Sequence, residues 1–549
     1  MRNWFSGARG LRSMSNRPGH FRGNRTSRIV ISLVTIGAIS CTTCFADGAV
    51  TVEKIAATGD VISGASVGTL SQPVLNNAGQ VAFVLGYGEG VATNVSGANT
   101  QVITYNAAFP GSPYAIKFVD SIILADNGNL AAKVRTDKSG GTLGKAHGYV
   151  IAKANGPLTK VMLEGDPAPA SIGSGVTVQY IGGEMAFSNS GVIGFRTTLS
   201  GTGITTSNKD ALWTATSGAT LSLLARTGAS TPGMPGRVYI NRSNFPLHPM
   251  LGSAGIGAFL ADTTDGGPYY GPLGVWKGSD YPSLSLVAKE GTATSYLRGP
   301  LSENDIGHVA LSAATVYEGS LQESIWSDRS GTLQLIAVEG SSAPGLPGLT
   351  YGKDFWPILN NADEMAFCVG LSGSQVTEAN DTAIFAETDS GFILVAREGD
   401  QVPGQSPGVT FSAVKYPSFN ARGQLLFYGQ MTDGHSGIFL HDPFGGLMTI
   451  AVEGTPLELA SGIYGTPTSL DYAGVLYGPA NSGGGDGAAR ALNDAGQVAF
   501  HARFSDGTDA ILLATVPEPA SVAMLAFMAL ALLRRRVGEK GAGMLCRKP

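Results

Sequence analysis

The chain is 549 residues long, yet only 14% are charged and 77 are glycine, about twice the usual glycine share of roughly 7%. With 43% apolar residues this excludes a disordered chain and predicts an all-β protein of short strands and tight turns. The formal net charge of −5 hides an acidic body of −17 between two basic ends, which excludes a nucleic-acid footprint and disfavours polyanions.

The basic ends come first and last. Residues 1–46 carry seven Arg and no acid, and the tail from Arg534 carries six basic residues and one acid. Removing these from 36 basic and 41 acidic residues leaves 23 against 40. Neutral glycans, cations or protein partners remain open to such a body. Within residues 1–46, Arg2 to Arg28 precede the apolar run "IVISLVTIGAISCTTCFA", which ends in small residues. This is the layout of a secretory signal, with cleavage expected after Ala46 to leave Asp47 first. A start at Met14 would give a leader of more ordinary length. Cys41 and Cys44 fall in the leader and Cys546 in the tail, so the body keeps only Cys368. A lone Cys beside Phe367 predicts a small buried hydrophobe and no disulfide framework.

From residue 47 to 515 the chain repeats itself. "LNNAGQVAF" at Leu75 places Asn76 and Gly79 at the first and last positions of a four-residue turn, followed by a strand with Val81 and Phe83 on one face. Degenerate copies begin at Leu124, Phe187, Leu251, Glu303, Leu359, Phe419 and Leu492. The turn-glycine slot falls at 79, 128, 191, 255, 307, 363, 423 and 496, with Phe closing six copies. The slot before it is Ala or Gly in seven, which lets a neighbouring sheet approach. Pro73, Pro249, Pro357 and Pro417 lie six places before the turn-glycine slot, where they are expected to end the preceding strand.

A second motif, A-x-E-G, alternates with the first: "KIAATGD" at Lys54, "KVMLEGD" at Lys160, "LLARTG" at Leu223, "LVAKEG" at Leu286, "LIAVEG" at Leu335, "LVAREGD" at Leu394 and "TIAVEG" at Thr449. One copy is lost near Gln101. A third short strand separates the two motifs, as in "ALW" at Ala211 and "GIF" at Gly437. Four strands repeated radially predict a β-propeller of seven or eight four-stranded blades. The body opens on an A-x-E-G strand and closes on "DGTDAILLAT", so strands from both ends are expected to complete one blade. A β-solenoid is the alternative, although its repeats are usually shorter. The motifs resemble those of the choice-of-anchor tandem-repeat family named for N-x-x-G-x-V-A-F, whose members carry interchangeable C-terminal anchors.

The body shows little that reads as chemistry. "GASVG" at Gly64 formally matches a nucleophile elbow around Ser66, but a Gly-rich turn fits its position better than a strand-to-helix turn. The histidines form no metal-binding pair, "DTTDGG" at Asp262 lacks the spaced acids of a calcium loop, and no P-loop or dinucleotide fingerprint occurs. No cofactor is expected. Glu164, Glu290, Glu339, Glu398 and Glu453 of the A-x-E-G motif read either as a ring of carboxylates for a cation or, better, as acceptors of backbone N–H groups in their own turns. Thr58 and Thr227, standing in for Glu, favour the second reading. A site in a pseudo-symmetric ring calls for a local departure; candidates are Tyr269 and Tyr270, Trp356, and the insert "NSGGGDGAAR" from Asn481.

The tail, 516–536, reads "VPEPASVAMLAFMALALLRRR": Pro517, Glu518 and Pro519, an apolar run from Ala520 to Leu533 that predicts a transmembrane helix, then Arg534, Arg535 and Arg536, with a basic end, 537–549, beyond. The prolines keep the motif extended outside the helix, and the arginines fix its orientation. The order and spacing resemble the PEP-CTERM sorting signal, which implies recognition and processing by a membrane-embedded exosortase in a Gram-negative bacterium that makes extracellular polysaccharide. The extra thirteen residues after Arg536 depart from that pattern. The expected protein is exported, surface-sorted and non-catalytic, a binding or matrix component linked to extracellular polysaccharide. A secreted polysaccharide hydrolase or lyase is the alternative.

Overall fold

The computed structural model describes residues 50–139, 145–154, 156–216, 221–240, 250–253, 255–265, 271–460, 462–473 and 485–517. Every blade follows one plan, seen in blade 1: Leu70–Leu75, Val81–Leu85, Gly90–Thr93 and Thr100–Thr104 pair antiparallel in chain order. Blades 2 to 7 repeat it over 116–163, 176–226, 238–289, 296–338, 350–397 and 411–452. Blade 8 is made from both ends: Pro467–Asp471, Gln497–Phe504 and Asp509–Thr515, with Thr51–Ala57 added as the outermost strand. Thr51 pairs with Thr515 and Ala57 with Ala510. The architecture is an eight-bladed β-propeller closed by its own termini.

The pattern V-A-F explains the packing. Phe83, Phe195, Phe259, Phe367, Phe427 and Phe500 are fully buried, as are Ala82, Ala131, Ala258, Ala310, Ala366 and Ala499 in the slot before. A small residue on one face and Phe on the other let adjacent twisted sheets nest. Across the seam, Phe83, Leu75 and Val81 of blade 1 share one cluster with Ala499, Ile511 and Leu513 of blade 8. The two most similar nonapeptides of the chain are therefore neighbours. The third-strand aromatics Trp213, Trp276, Phe385 and Phe439 are also completely buried.

Two expectations need correction. The prolines do not end strands: Pro73, Pro357 and Pro417 lie inside the first strands Leu70–Leu75, Trp356–Leu359 and Phe411–Phe419. That strand pairs on one side only, so a missing N–H breaks no ladder on its free edge. Pro73 and Pro417 sit in bulges, just after Gln72 and Tyr416 at positive φ. Pro249 lies outside the described residues. The second correction concerns the A-x-E-G glutamates and belongs with the site.

Candidate functional site

The N-x-x-G turns lie at one end of the strands, around the ring axis. In blade 1, Asn76 Oδ1 accepts the N–H of Ala78 and Gln80 at 3.1 and 2.9 Å, closing its own turn. Gly79 completes that turn at φ +75°, and in blade 6 Asp363 takes the same left-handed conformation at +63°. The Asn76 amide then donates across to Ala125 O of blade 2 at 3.1 Å. Asn304, Asn360, Asn420 and Asn493 repeat the reach to Asn360 O, Asn420 O, Asn493 O and Asn76 O, at 2.8 to 3.1 Å. Five buried side chains thus link blades 5, 6, 7, 8, 1 and 2 in a chain that crosses the seam. Only Asn serves here, because the turn needs an acceptor and the next blade needs a donor.

Blades 2, 3 and 4 carry Ala125, Ser188 and Gly252 in that slot, and another device covers this arc. The first strand of blade 8 stops after Asp471, and the chain rejoins it at Leu492, which bridges Val498. Between them, Asp486 O accepts Leu251 N of blade 4 at 2.9 Å and Gly487 O accepts Phe187 N of blade 3 at 2.7 Å. Arg490 O accepts Leu75 N of blade 1 at 2.9 Å. A Cβ on Gly487, at φ +74°, would lie 2.9 Å from Leu251 O, so only glycine passes there. Arg490, 2% exposed, donates to Asp126 Oδ1 of blade 2 at 2.6 Å. The predicted insert is therefore, in its described part, a strap joining blade 8 to the blades without Asn.

Glu303 stands beside the strap, in a slot that is Leu or Phe in the other copies. It is fully buried; Oε2 accepts Ala258 N at 3.2 Å and Oε1 has no hydrogen-bond partner. Burial pushes its pKa well above the carboxylate range, and Asp486 and Asp328 add to this against Lys277. Sequence reading passed over it, although an acid in an otherwise apolar slot was a visible signal.

The opposite end of the strands carries the glutamates. Their partners are not in their own turns but at the head of the neighbouring third strand. Glu164 accepts His147 N at 3.0 Å, Glu290 accepts Leu273 N at 2.8 Å, Glu339 accepts Glu323 N at 3.0 Å and Glu453 accepts Ser436 N at 2.9 Å. Glu398 does the same for Thr382. Glu164 and Glu290 also reach the next blade, at Ile181 N and Leu297 N, both at 3.0 Å. Thr58 and Thr227 make the latch with a hydroxyl, to Asp509 N and Asp210 N at 3.0 and 3.1 Å. The role is structural, as favoured, but it ties strands rather than turns. Among the described residues no group of three or more His, Cys, Asp or Glu converges as a metal site requires.

What varies at this end is the residue whose N–H is latched, for example His147, Asp210, Glu323, Ser436 or Asp509. Two cavities open among such residues. One, about 320 Å³, lies in blade 6 and is lined by Lys353, Asp354, Trp356, Cys368, Asp381 and Thr382. Trp356 is half-buried rather than core, and burial pushes the Cys368 thiol up to about 12. Beside it, burial and then Asp381 raise Glu398 to about 7.

The other cavity, about 270 Å³, lies where blades 8, 1 and 2 meet, with Gln72, Tyr87, Phe118, His501, Arg503 and Asp509 in its lining. His501 Nδ1 is 2.9 Å from Asp471 Oδ2, and Nε2 is 3.5 Å from Asp509 Oδ1. Burial alone would depress His501, but Asp471 and Asp509 outweigh it and hold its pKa above the ordinary value.

Ser66 lies exposed in the short hairpin Val61–Ile62 and Ala65–Ser66, not in a nucleophile elbow. Tyr269 and Tyr270, Ala46 and Asp47, Glu518, Pro519 and Arg534 to Arg536 lie outside the described residues, as does the expected transmembrane helix. Among the described residues no helix is long and apolar enough to cross a membrane. Pro517 directly follows Val516, whose N–H bonds Gly496 O at 3.1 Å.

Fold and sites together define an eight-bladed, strap-closed β-propeller with these two cavities at the latch end and a smaller one, about 130 Å³, at the N-x-x-G end of blades 1 and 2. Residues 30–299 and 292–523 each match a family of unknown function, DUF7453, and the chain belongs to that family. The first match spans blades 1–4 together with the strand Thr51–Ala57 of blade 8, and the second spans blades 5–7 and the rest of blade 8. No curated protein matches. Among solved structures, the chain is similar to a point mutant of the Aleuria aurantia lectin AAL in complex with Fucalpha1-6GlcNAc, at 10% identity and TM-score 0.27, over 60% of this chain and 94% of the lectin. It is also similar to a Pyrococcus horikoshii acylaminoacyl peptidase, at 10% identity and TM-score 0.35, over 70% of this chain and 52% of the peptidase. A Mycobacterium tuberculosis puromycin-hydrolyzing peptidase matches at 12% and 0.33, over 69% and 53%.

Proposed function

We propose that this propeller is exported and sorted to the cell surface, where it serves as a non-catalytic binding or matrix component linked to extracellular polysaccharide. The observation that carries the reading is the tail: Pro517-Glu518-Pro519, an apolar run and Arg534 to Arg536. An exosortase-type enzyme is its processing partner. The geometry of the ring suits such an anchor. Thr51 and Thr515 are paired at the N-x-x-G end, so both ends of the body leave from that side. The strand Asp509–Thr515 runs from there to the cavity end, about 20 Å away at roughly 3.3 Å per residue. A chain tethered by its tail therefore turns the cavities away from the membrane. Replacing Pro517, Glu518 and Pro519 with alanine should leave the protein membrane-bound and unprocessed, as read by fractionation and mass spectrometry of the C-terminus. Unchanged release of that variant would contradict the sorting role.

A further inference from the structure

We propose that the cavity where blades 8, 1 and 2 meet is a binding site for one neutral pyranose residue of a glycan, a proposal that rests on the binding role just described. Three polar atoms in its lining residues are buried without a hydrogen-bond partner: Gln72 Oε1, His501 Nε2 and Asp509 Oδ1. His501 is 8% exposed and Asp509 3%. Blade 3 offers the matching carboxylate oxygen, Asp210 Oδ1, for comparison. There Asp210, the counterpart of Asp509, is held by Arg196 at 2.9 Å and Thr198 at 3.1 Å. In blade 8 the nearest groups stay back, His501 Nε2 at 3.5 Å and Arg503 Nε at 3.7 Å. Buried acceptors and donors left open in this way cost stability unless something else pairs with them.

Two acceptor oxygens and an imidazole nitrogen suit a ligand that both donates and accepts, as adjacent sugar hydroxyls do. The apolar half of the wall fits the same ligand. Tyr87 projects from the hairpin of blade 1 and is 76% exposed, far more than a tyrosine with a packing role needs. Phe118 lies against Gly88, one face covered by the Arg135 guanidinium at 3.9 Å. Gly88 leaves room for that ring; a Cβ there would come within 2.7 Å of it. Aromatic faces pack against the C–H faces of a sugar. The charges balance, His501 and Arg503 against Asp471 and Asp509 and Arg135 against Asp120 at 2.8 Å, so no surplus cation remains to select an acidic sugar. At about 270 Å³ the cavity falls just below the roughly 300–1,000 Å³ of sites for drug-sized ligands, which suits one ring rather than an oligosaccharide.

The test is titration of the full-length protein with methyl hexopyranosides of gluco, galacto and manno configuration and with methyl glucuronide, followed by ligand-observed NMR. At least one neutral glycoside should bind, and Tyr87→Ala and Asp509→Asn should each weaken it about tenfold. Tyr87→Ala changes an exposed side chain and should keep the wild-type melting temperature, so its loss of binding cannot be a loss of fold. Binding equal in wild type and both variants would overturn the site while leaving the binding role intact. Preference for the glucuronide would overturn the neutral-sugar assignment. No binding of any glycoside would overturn the site, and if the protein also ignored whole polysaccharides the binding role would fall with it.

Discussion

The two ends of the ring differ in what they repeat. At the N-x-x-G end the same Asn does the same work in five blades, and where it is absent the strap of residues 485–491 takes over. At the cavity end the backbone latch is regular, but the side chain at the latched residue changes from blade to blade. Regularity closes the ring; the irregular positions are free to meet a ligand. The propeller thus separates a closure end, where the chain enters and leaves, from an end of varied side chains, where the proposed sugar site lies.

The sharpest way to break this division is at the strap. Arg490→Ala removes a buried cation that bonds Asp126 and should cost about 3 kcal/mol, read as a large fall in melting temperature. Arg490→Lys should recover little, since a point charge cannot reproduce a guanidinium that reaches Asp126 at 2.6 Å and Asn189 Oδ1 at 3.5 Å. Asn420→Ala comes next. It strips the link to Asn493 O at 2.8 Å and leaves buried groups open, at a cost of about 2 kcal/mol. Neither change should alter the cavity end.

Changes at the cavity end should be milder. Thr227→Val removes the oxygen that latches Asp210 N, at about 1 kcal/mol in a denaturant titration. Glu398, with a folded pKa of about 7 against 4.5, supplies a proton-linked term. It adds stability below pH 4.5 that is lost as the pH rises through about 7. Glu398→Gln should therefore flatten the decline of melting temperature between those two pH values.

Much of this was legible in the sequence. Four strands per unit, their order and the shared seam blade follow from two alternating motifs, because period-2 burial and turn residues are local signals. The role of Asn76 was half legible: its turn could be read, but its amide bonds a carbonyl 49 residues on, which only the ring brings near. The run Ala125, Ser188, Gly252 was the available sign that three neighbouring blades close differently. The strap was seen as an insert, yet its partners lie in blades 1 to 4, beyond any local pattern. The glutamates were read as backbone acceptors, but their N–H partners sit on an adjacent strand, a pairing that spacing alone does not reveal. Gln72, His501 and Asp509 carry no motif at all; they meet because the seam joins the chain's two ends.

The most direct measurement of the central claim compares the two cavities on one ligand. The purified protein, Tyr87→Ala and Trp356→Ala would each be tested for retention on an immobilised neutral polysaccharide that binds the wild type. Saturable retention of the wild type and of Trp356→Ala, with loss in Tyr87→Ala, is the predicted result. Retention that survives Tyr87→Ala but is lost in Trp356→Ala, or no neutral polysaccharide that retains the wild type, would contradict the account.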